Sequence, residues 1–324
     1  MAGSYSKINY RLRPAKAVER KIICDSLRCL SPFGEIKTYR YVGFGSTYFS
    51  DFILFHKSLH IEDMISIEKD RHAKDRFDYN RPFGCIKIAY GNSYDVLPML
   101  EWSKKSIVWL DYDNPLDKTI LDDIDTLTTK LVSGSVLIVT VSAEPERPQE
   151  EGLSIEERDK FREDKLREKL TNEKIPIDLK SSDLTGKNLA KLYKRIIDNQ
   201  LKQRLSNANS ARSEDQKLNY KQIFDFRYAD GSRMLTVGWL IFEQSNDELA
   251  KQCKFNKNFN RTEVDKPYEI KIPNLTLKET QYLDSLMPTD DCDAVEDRIC
   301  IPLKDIKLYA ELYKYFPSFV EMFM

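Results

Sequence analysis

Four short clusters of glycine and polar residues recur through the first third of the sequence: Gly43-Phe44-Gly45-Ser46, Glu68, Gly91-Asn92-Ser93 and Asp111-Tyr112-Asp113-Asn114. Each type suits a different part of a nucleoside-bearing ligand. Glycines let the backbone approach a ligand closely and leave amides exposed at the start of a following helix. An acid roughly 20 residues further on suits the hydroxyls of a ribose. A short amide or hydroxyl suits the edge of a base, and a pair of carboxylates suits proton abstraction from an acceptor. Singly these signals are common; their order and spacing carry the reading.

The elements that must position these clusters are legible around them. "IKTYRYVGF", "MISIEKD", "CIKIAYGNS", "SIVWLDYD" and "GSVLIVTVSA" each read as a short apolar strand, separated by stretches long enough for a helix. Such alternation builds a parallel sheet, and "IVWL" and "VLIVTV" are apolar on both faces, as strands covered on both sides by helices must be. In open sheets of this kind ligands bind outside the carboxyl ends of the strands, where all four clusters fall. Ahead of the first strand, "PAKAVERKIICDSLRCL" carries Val18, Ile22, Ile23, Leu27 and Leu30 at helical spacing, with Pro14 suited to its first turn. Arg11, Arg13 and Lys16 form a basic cluster at its start, read either as a solvated tail or as an arm over an anionic ligand.

After the fifth strand, "EPERPQEEGLSIEERDKFREDKLREKLTNEK" is almost wholly charged, with acids and bases at helical spacings. It continues into a basic stretch, 187–221. That stretch is a candidate nucleic-acid face, although the solvated side of a helix bearing Leu189, Leu192, Ile196 and Leu201 is the stronger reading. "QIFDFRYADGSRMLTVGWLIFEQ" then gives two strands joined at Asp230-Gly231, a hairpin signal. The expected organisation is a core of 1–145 plus 218–245, a charged helical insertion over 146–217, and an accessory region over 246–324. The expected fold class is α/β, a seven-stranded, mostly parallel Rossmann-like sheet ending in an antiparallel hairpin.

Composition narrows the function classes. The 51 basic residues balance the 52 acidic ones, giving a net charge of -1 and no global attraction to nucleic acid or membrane. No apolar run spans a bilayer, and a cytoplasmic protein is expected. The six cysteines are scattered without a C-x-x-C pair and the three histidines complete no zinc spacing with them, so free thiols are expected.

The glycine cluster also discriminates between cofactors. A dinucleotide fingerprint needs a third glycine where Tyr48 stands, so a pyrophosphate would have to fit under a bulky ring. S-adenosylmethionine carries no phosphate and needs only the close backbone approach and the ribose-binding acid. "NYRLRPAKAVERK", "YVGFGSTYFSDF", "SIEKD", "IVWLDYD" and "RYADGSRMLTVG" together resemble a bacterial family of O-methyltransferases of unassigned substrate. The family belongs to the class I, Rossmann-like S-adenosylmethionine-dependent methyltransferases, and some members occur beside phage-defence genes. The resemblance covers most of residues 8–245.

The resemblance implies that Gly43, Gly45 and Ser46 shape the loop at the methionine side of the cofactor and that Glu68 holds the ribose. It places Asn92 and Ser93 by the adenine and Asp111 near the sulfonium or the acceptor. The acid usual two positions before the first glycine is here Tyr41, so a contact to the cofactor's amino group is expected to be missing.

For an oxygen acceptor the base candidates are Asp111 and Asp113, with the alternative that Asp111 caps the next helix or binds cofactor and only Asp113 is free. Arg13 and Lys16 would draw in an anionic acceptor, Tyr48 would wall the pocket and Tyr112 would stack on a flat one. The Asp-Tyr-Asp-Asn-Pro-Leu run lacks the Pro-Pro turn of adenine-amino methyltransferases, and no cysteine sits where a cytosine C5 mechanism needs one. Asp111, Asp113 and Asn114 alone make a weak magnesium site, so metal-independent transfer is expected. The competing class is a methyltransferase-shaped binding module for nucleic acid or a protein partner without turnover.

Overall fold

The chain alternates strands and helices through its first half because apolar runs of strand length are broken by amphipathic segments. The structure is a computed structural model that describes residues 13–255, 259–263, 266–296 and 301–317; Arg11 of the basic cluster lies outside them. The strands are β1 (Arg40–Gly43), β2 (Asp63–Glu68), β3 (Ile86–Tyr90), β4 (Ser106–Pro115), β5 (Ser135–Ser142), β6 (Leu218–Ala229), β7 (Arg233–Glu243) and β8 (Tyr268–Glu269). The helices are α1 (Pro14–Leu27), α2 (Ser50–Leu59), α3 (Lys74–Asn80), α4 (Ser93–Val96), α5 (Lys118–Lys130), α6 (Ile155–Lys169), α7 (Asn188–Asn209), α8 (Asp247–Gln252), α9 (Leu277–Asp284), α10 (Cys292–Glu296) and α11 (Leu303–Leu312).

All strands join one sheet in the order β3-β2-β1-β4-β5-β7-β6-β8. The first five are parallel, and β7 runs antiparallel beside β5, delivered by the β6–β7 hairpin. The expected hairpin is therefore present, with Gly231 at φ +90° in its turn, where a side chain would be strained. The sheet has eight strands rather than seven: β8, two residues long, pairs with β6 from the far end of the chain.

Two apolar layers cover the sheet. One face packs α1 and α2 against Tyr39, Tyr41, Trp109 and Ile138; the other packs α5 and α7 against Val42, Val108, Leu110 and Val139. β5 is buried along its whole length, as its unbroken apolar run requires. The segment expected as a solvated insertion divides in two. α6 is a charged helix with a Ser154/Glu157 capping box and one buried residue, Leu166. α7 instead buries Leu189, Leu192, Tyr193, Ile196, Ile197 and Leu201 in the same core as the sheet.

Four of the nine basic residues of that stretch are in ion pairs among the described residues: Lys194 with Asp198 at 2.5 Å, Lys187 with Glu269 at 2.7 Å, Arg195 with Asp178, and Lys217 with Glu214. The C-terminal region has a small core of its own around Leu283, Ile306 and Tyr309. Five cysteines are free thiols and the sixth, Cys300, lies outside the described residues. No described helix is long and apolar enough to cross a membrane.

Candidate active site

The strand order reverses between β1 and β4, so β2 and β3 lie to one side of the switch point and β5 to the other. A crevice opens at such a point, outside the carboxyl ends of the strands. Gly43 sits level with Ser66 of β2 on one side and Trp109 of β4 on the other. The turn after β1, the end of β2 and the end of β4 therefore converge here.

The turn is tight because of what surrounds it. A Cβ on Gly43 would lie 2.6 Å from the Tyr41 hydroxyl and 3.1 Å from the Trp109 carbonyl oxygen. A Cβ on Gly45 would lie 2.5 Å from the Phe49 ring and 2.6 Å from the Ser66 hydroxyl. Packing, not a positive φ, excludes side chains at both positions. The strain falls instead on Ser46 and Phe49, whose φ angles are 51° and 45°. Tyr48, half-buried, stands between them.

Glu68 is buried at the end of β2. Its Oε1 accepts the Ser66 hydroxyl at 2.7 Å, and that hydroxyl in turn accepts the Gly45 amide at 2.9 Å. Burial pushes the Glu68 carboxyl up to about 7, against the opposing pull of Ser66 and the Ser46 and Gly45 amides. Glu68 and the glycine turn are thus one connected unit.

At the third strand end, Asn92 starts α4 and its amide donates to Tyr94 Oη at 2.9 Å and Asp95 Oδ2 at 3.2 Å. Ser93 shares a hydrogen-bonded group with Tyr112 and Asp123. Tyr112, expected to stack on an acceptor, donates its hydroxyl to Asp123 at 2.6 Å and meets the Phe44 ring edge-on at 5.1 Å. It points to the α5 side of the sheet.

The β4 end departs from a regular ladder. Between Asp111 and Pro115 four β4 steps oppose two on β5, a bulge of the kind that re-aims side chains beside sites. Asp111 and Asp113 both reach toward α1. Lys16 Nζ lies 2.8 Å from Asp111 Oδ1 and 2.8 Å from Glu19 Oε2, and stands over the Trp109 ring at 4.6 Å. Arg13 lies 3.9 Å from Asp113. Lys16, expected to draw in an anionic acceptor, is 1% exposed and its charge is already shared by two carboxylates. The Asp111 side chain caps no helix among the described residues; that role at α5 belongs to Asp117, which accepts the Ile120 amide at 3.0 Å. α1 is fixed in turn by the hairpin, whose Asp230 accepts the Ala15 and Lys16 amides at 3.2 and 2.9 Å.

Tyr41 does not fill the crevice. It is fully buried under the turn, edge-on to Phe52 and Phe55 at 4.8 Å, and its hydroxyl donates to Asp51. Asp51 escaped the sequence reading, although an acid one residue into the apolar helix "SDFILFH" was the available signal. Glu19, Arg20 and Tyr228, also buried here, gave no sequence signal beyond their position in amphipathic elements.

Comparison with known proteins follows the same direction. The model of a family described as "Putative O-methyltransferase" matches residues 8–324. The chain belongs to this family. A search of curated proteins finds no match.

Among solved structures, Trm1 from Pyrococcus horikoshii with S-adenosyl-L-methionine is 12% identical, covering 72% of this chain and 57% of its own, with a TM-score of 0.46. TYW2 of M. jannaschii in complex with AdoMet is 16% identical over 74% and 80% of the two chains, with a TM-score of 0.37. CalS10, an amino pentose methyltransferase from Micromonospora echinaspora solved with SAM bound, is 16% identical over 40% of this chain and 52% of its own, at 0.30. The chain spans about half the length of several of the structures it matches.

The residues present fit S-adenosylmethionine. A buried acid stands beside a turn that admits no side chain, and no phosphate-binding third glycine is needed. Glu68 would hold the ribose, the Gly43–Ser46 turn would pack along the donor, and Asn92 with Ser93 would flank the adenine.

Proposed function

We propose that the protein moves a methyl group from S-adenosylmethionine to an oxygen of an acceptor, with Asp113 as the base. The supporting observation is the pair Asp111 and Asp113 directed by the β4 bulge to the α1 side of the switch point, at the same carboxyl edge of the sheet as Glu68 and the glycine turn. When bound, the donor would supply a methyl activated by its sulfonium, open to in-line attack by an acceptor oxygen that forms the O–CH3 bond as the CH3–S bond breaks and the neutral thioether leaves.

The protein's own work is then positioning and one proton. Asp113, 30% exposed in its side chain, faces Arg13 and is the more open of the two bases for an entering hydroxyl. Asp111 is held by Lys16 and lines the end of the donor site. Arg13 orients Asp113 and an anionic portion of the acceptor, while Tyr48 forms part of the wall.

The test is transfer of labelled methyl to phenolic, hydroxyl and carboxylate acceptors, with the products characterised by mass spectrometry. O-methylated product with the wild type, and a fall of about 10²–10⁴ in kcat for Asp113→Asn with unchanged donor affinity, are expected. Exclusively N- or C-methylated product would overturn the oxygen assignment.

A further inference from the structure

Arg20 lies one helical turn beyond Lys16 on α1, so the two side chains leave the same face of the helix. It is only 9% exposed, yet its guanidinium makes no hydrogen bond and no close ion pair among the described residues. A guanidinium stays charged in any protein environment, and one that is largely withdrawn from water gains from an anionic partner. Its five donors form a rigid fork that matches a carboxylate. The groups that feel its charge are Asp51 and Tyr41, buried beside the glycine turn, and Tyr228, buried on β6.

Asp51 supplies the opposite charge. It is also 9% exposed, on the second residue of α2, immediately after the strained turn. It accepts the Tyr41 hydroxyl, and that hydroxyl is the group a Cβ on Gly43 would strike. The same Cβ would lie 3.1 Å from the Trp109 carbonyl oxygen, so the Tyr41–Asp51 pair lies between the β1 turn and β4. A cationic fork on α1 and a carboxylate at the start of α2, both largely buried, complement a zwitterion that carries one carboxylate and one ammonium.

We infer that Arg20 and Asp51 hold the methionine end of the methyl donor, Arg20 taking its carboxylate and Asp51 its ammonium. Asp51 thereby supplies, from the following helix, the acid that Tyr41 displaces from the first strand. This inference rests on the donor reading above and goes beyond it by naming the residues that recognise the amino-acid portion.

The test compares ligands on the full chain by calorimetry: S-adenosylmethionine, its decarboxylated analogue that keeps the amine, and 5′-methylthioadenosine, which lacks the whole amino-acid end. The wild type is expected to bind both analogues at least tenfold more weakly than S-adenosylmethionine. Arg20→Met should lower the affinity for S-adenosylmethionine to that of the decarboxylated analogue, while leaving the analogue's own affinity unchanged. Asp51→Asn should weaken both amine-bearing ligands and spare methylthioadenosine.

Equal binding of S-adenosylmethionine and its decarboxylated analogue by the wild type would overturn the assignment of Arg20, with the donor reading left standing. An equal loss for all three ligands in Arg20→Met would do the same. Failure of the wild type to bind any of the three would overturn the donor reading itself. Because the wild-type comparison needs no substitution, it can overturn the assignment even where Arg20→Met does not fold.

Discussion

Glu68→Gln should change how stability depends on pH. Glu68 titrates at about 7 in the folded chain against an ordinary 4.5, because burial disfavours its charge more than Ser66 and the turn amides favour it. The folded state therefore keeps a proton that the unfolded chain releases across the window from pH 4.5 to about 7. Stability from this group is fully present below pH 4.5 and is lost as pH rises through about 7. For a side chain only 6% exposed, the gap corresponds to about 3 kcal/mol.

Glutamine cannot ionise, so the stability of the variant relative to wild type should rise by about that amount between pH 4 and pH 8. Urea unfolding of both proteins at a series of pH values, without ligand, measures it. The histidines and the other buried acids are common to both chains, so the difference isolates Glu68. Ligand binding gives a second reading of opposite sign. Ribose hydroxyls donate to the ionised acid, so wild-type affinity for S-adenosylmethionine should rise about tenfold from pH 6 to pH 8, and not in the variant. Parallel stability curves for the two proteins would refute the reasoning.

Other substitutions probe the same framework. Gly45→Ala places a Cβ against the buried Phe49 ring and Ser66, and should cost about 1–3 kcal/mol by urea unfolding while weakening donor binding. Lys16→Met leaves Glu19, which is fully buried, and Asp111 without their shared cation; a loss of about 3–5 kcal/mol is expected, partly recovered when Glu19→Gln is added. Asp230→Ala removes the hairpin cap from α1 and should cost about 0.5–2 kcal/mol by thermal unfolding, with faster hydrogen exchange at Ala15 and Lys16.

The parts of the molecule legible in the sequence were those governed by local pattern. The five parallel strands and the hairpin announce themselves by apolar runs and the Asp230-Gly231 turn, and the four strand ends follow from them. What escaped depends on contacts between distant residues. Lys16 and Asp111 are 95 positions apart, and Asp230 caps a helix 214 positions away; no periodicity reports such pairings.

The strand β8 is too short to give a pattern and exists only because β6 offers an edge. The apolar stripe of α7 was legible as Leu189, Leu192, Ile196 and Leu201 at helical spacing, but the charged composition of 146–217 does not tell that this stripe joins the core of the sheet while α6 stays nearly all solvated. Tyr41 looked like a lost cofactor contact, and only the fold shows that its hydroxyl meets an acid from the next helix.

The most direct measurement is calorimetric titration of the wild type and Glu68→Ala with S-adenosylhomocysteine. One ligand per chain should bind the wild type, and removal of the charged acceptor should weaken binding by about 10- to 100-fold, the effect of hydrogen bonds to a charged group. An absence of binding by the wild type, or equal affinity in the two proteins, would contradict a donor site at the β1–β4 switch point.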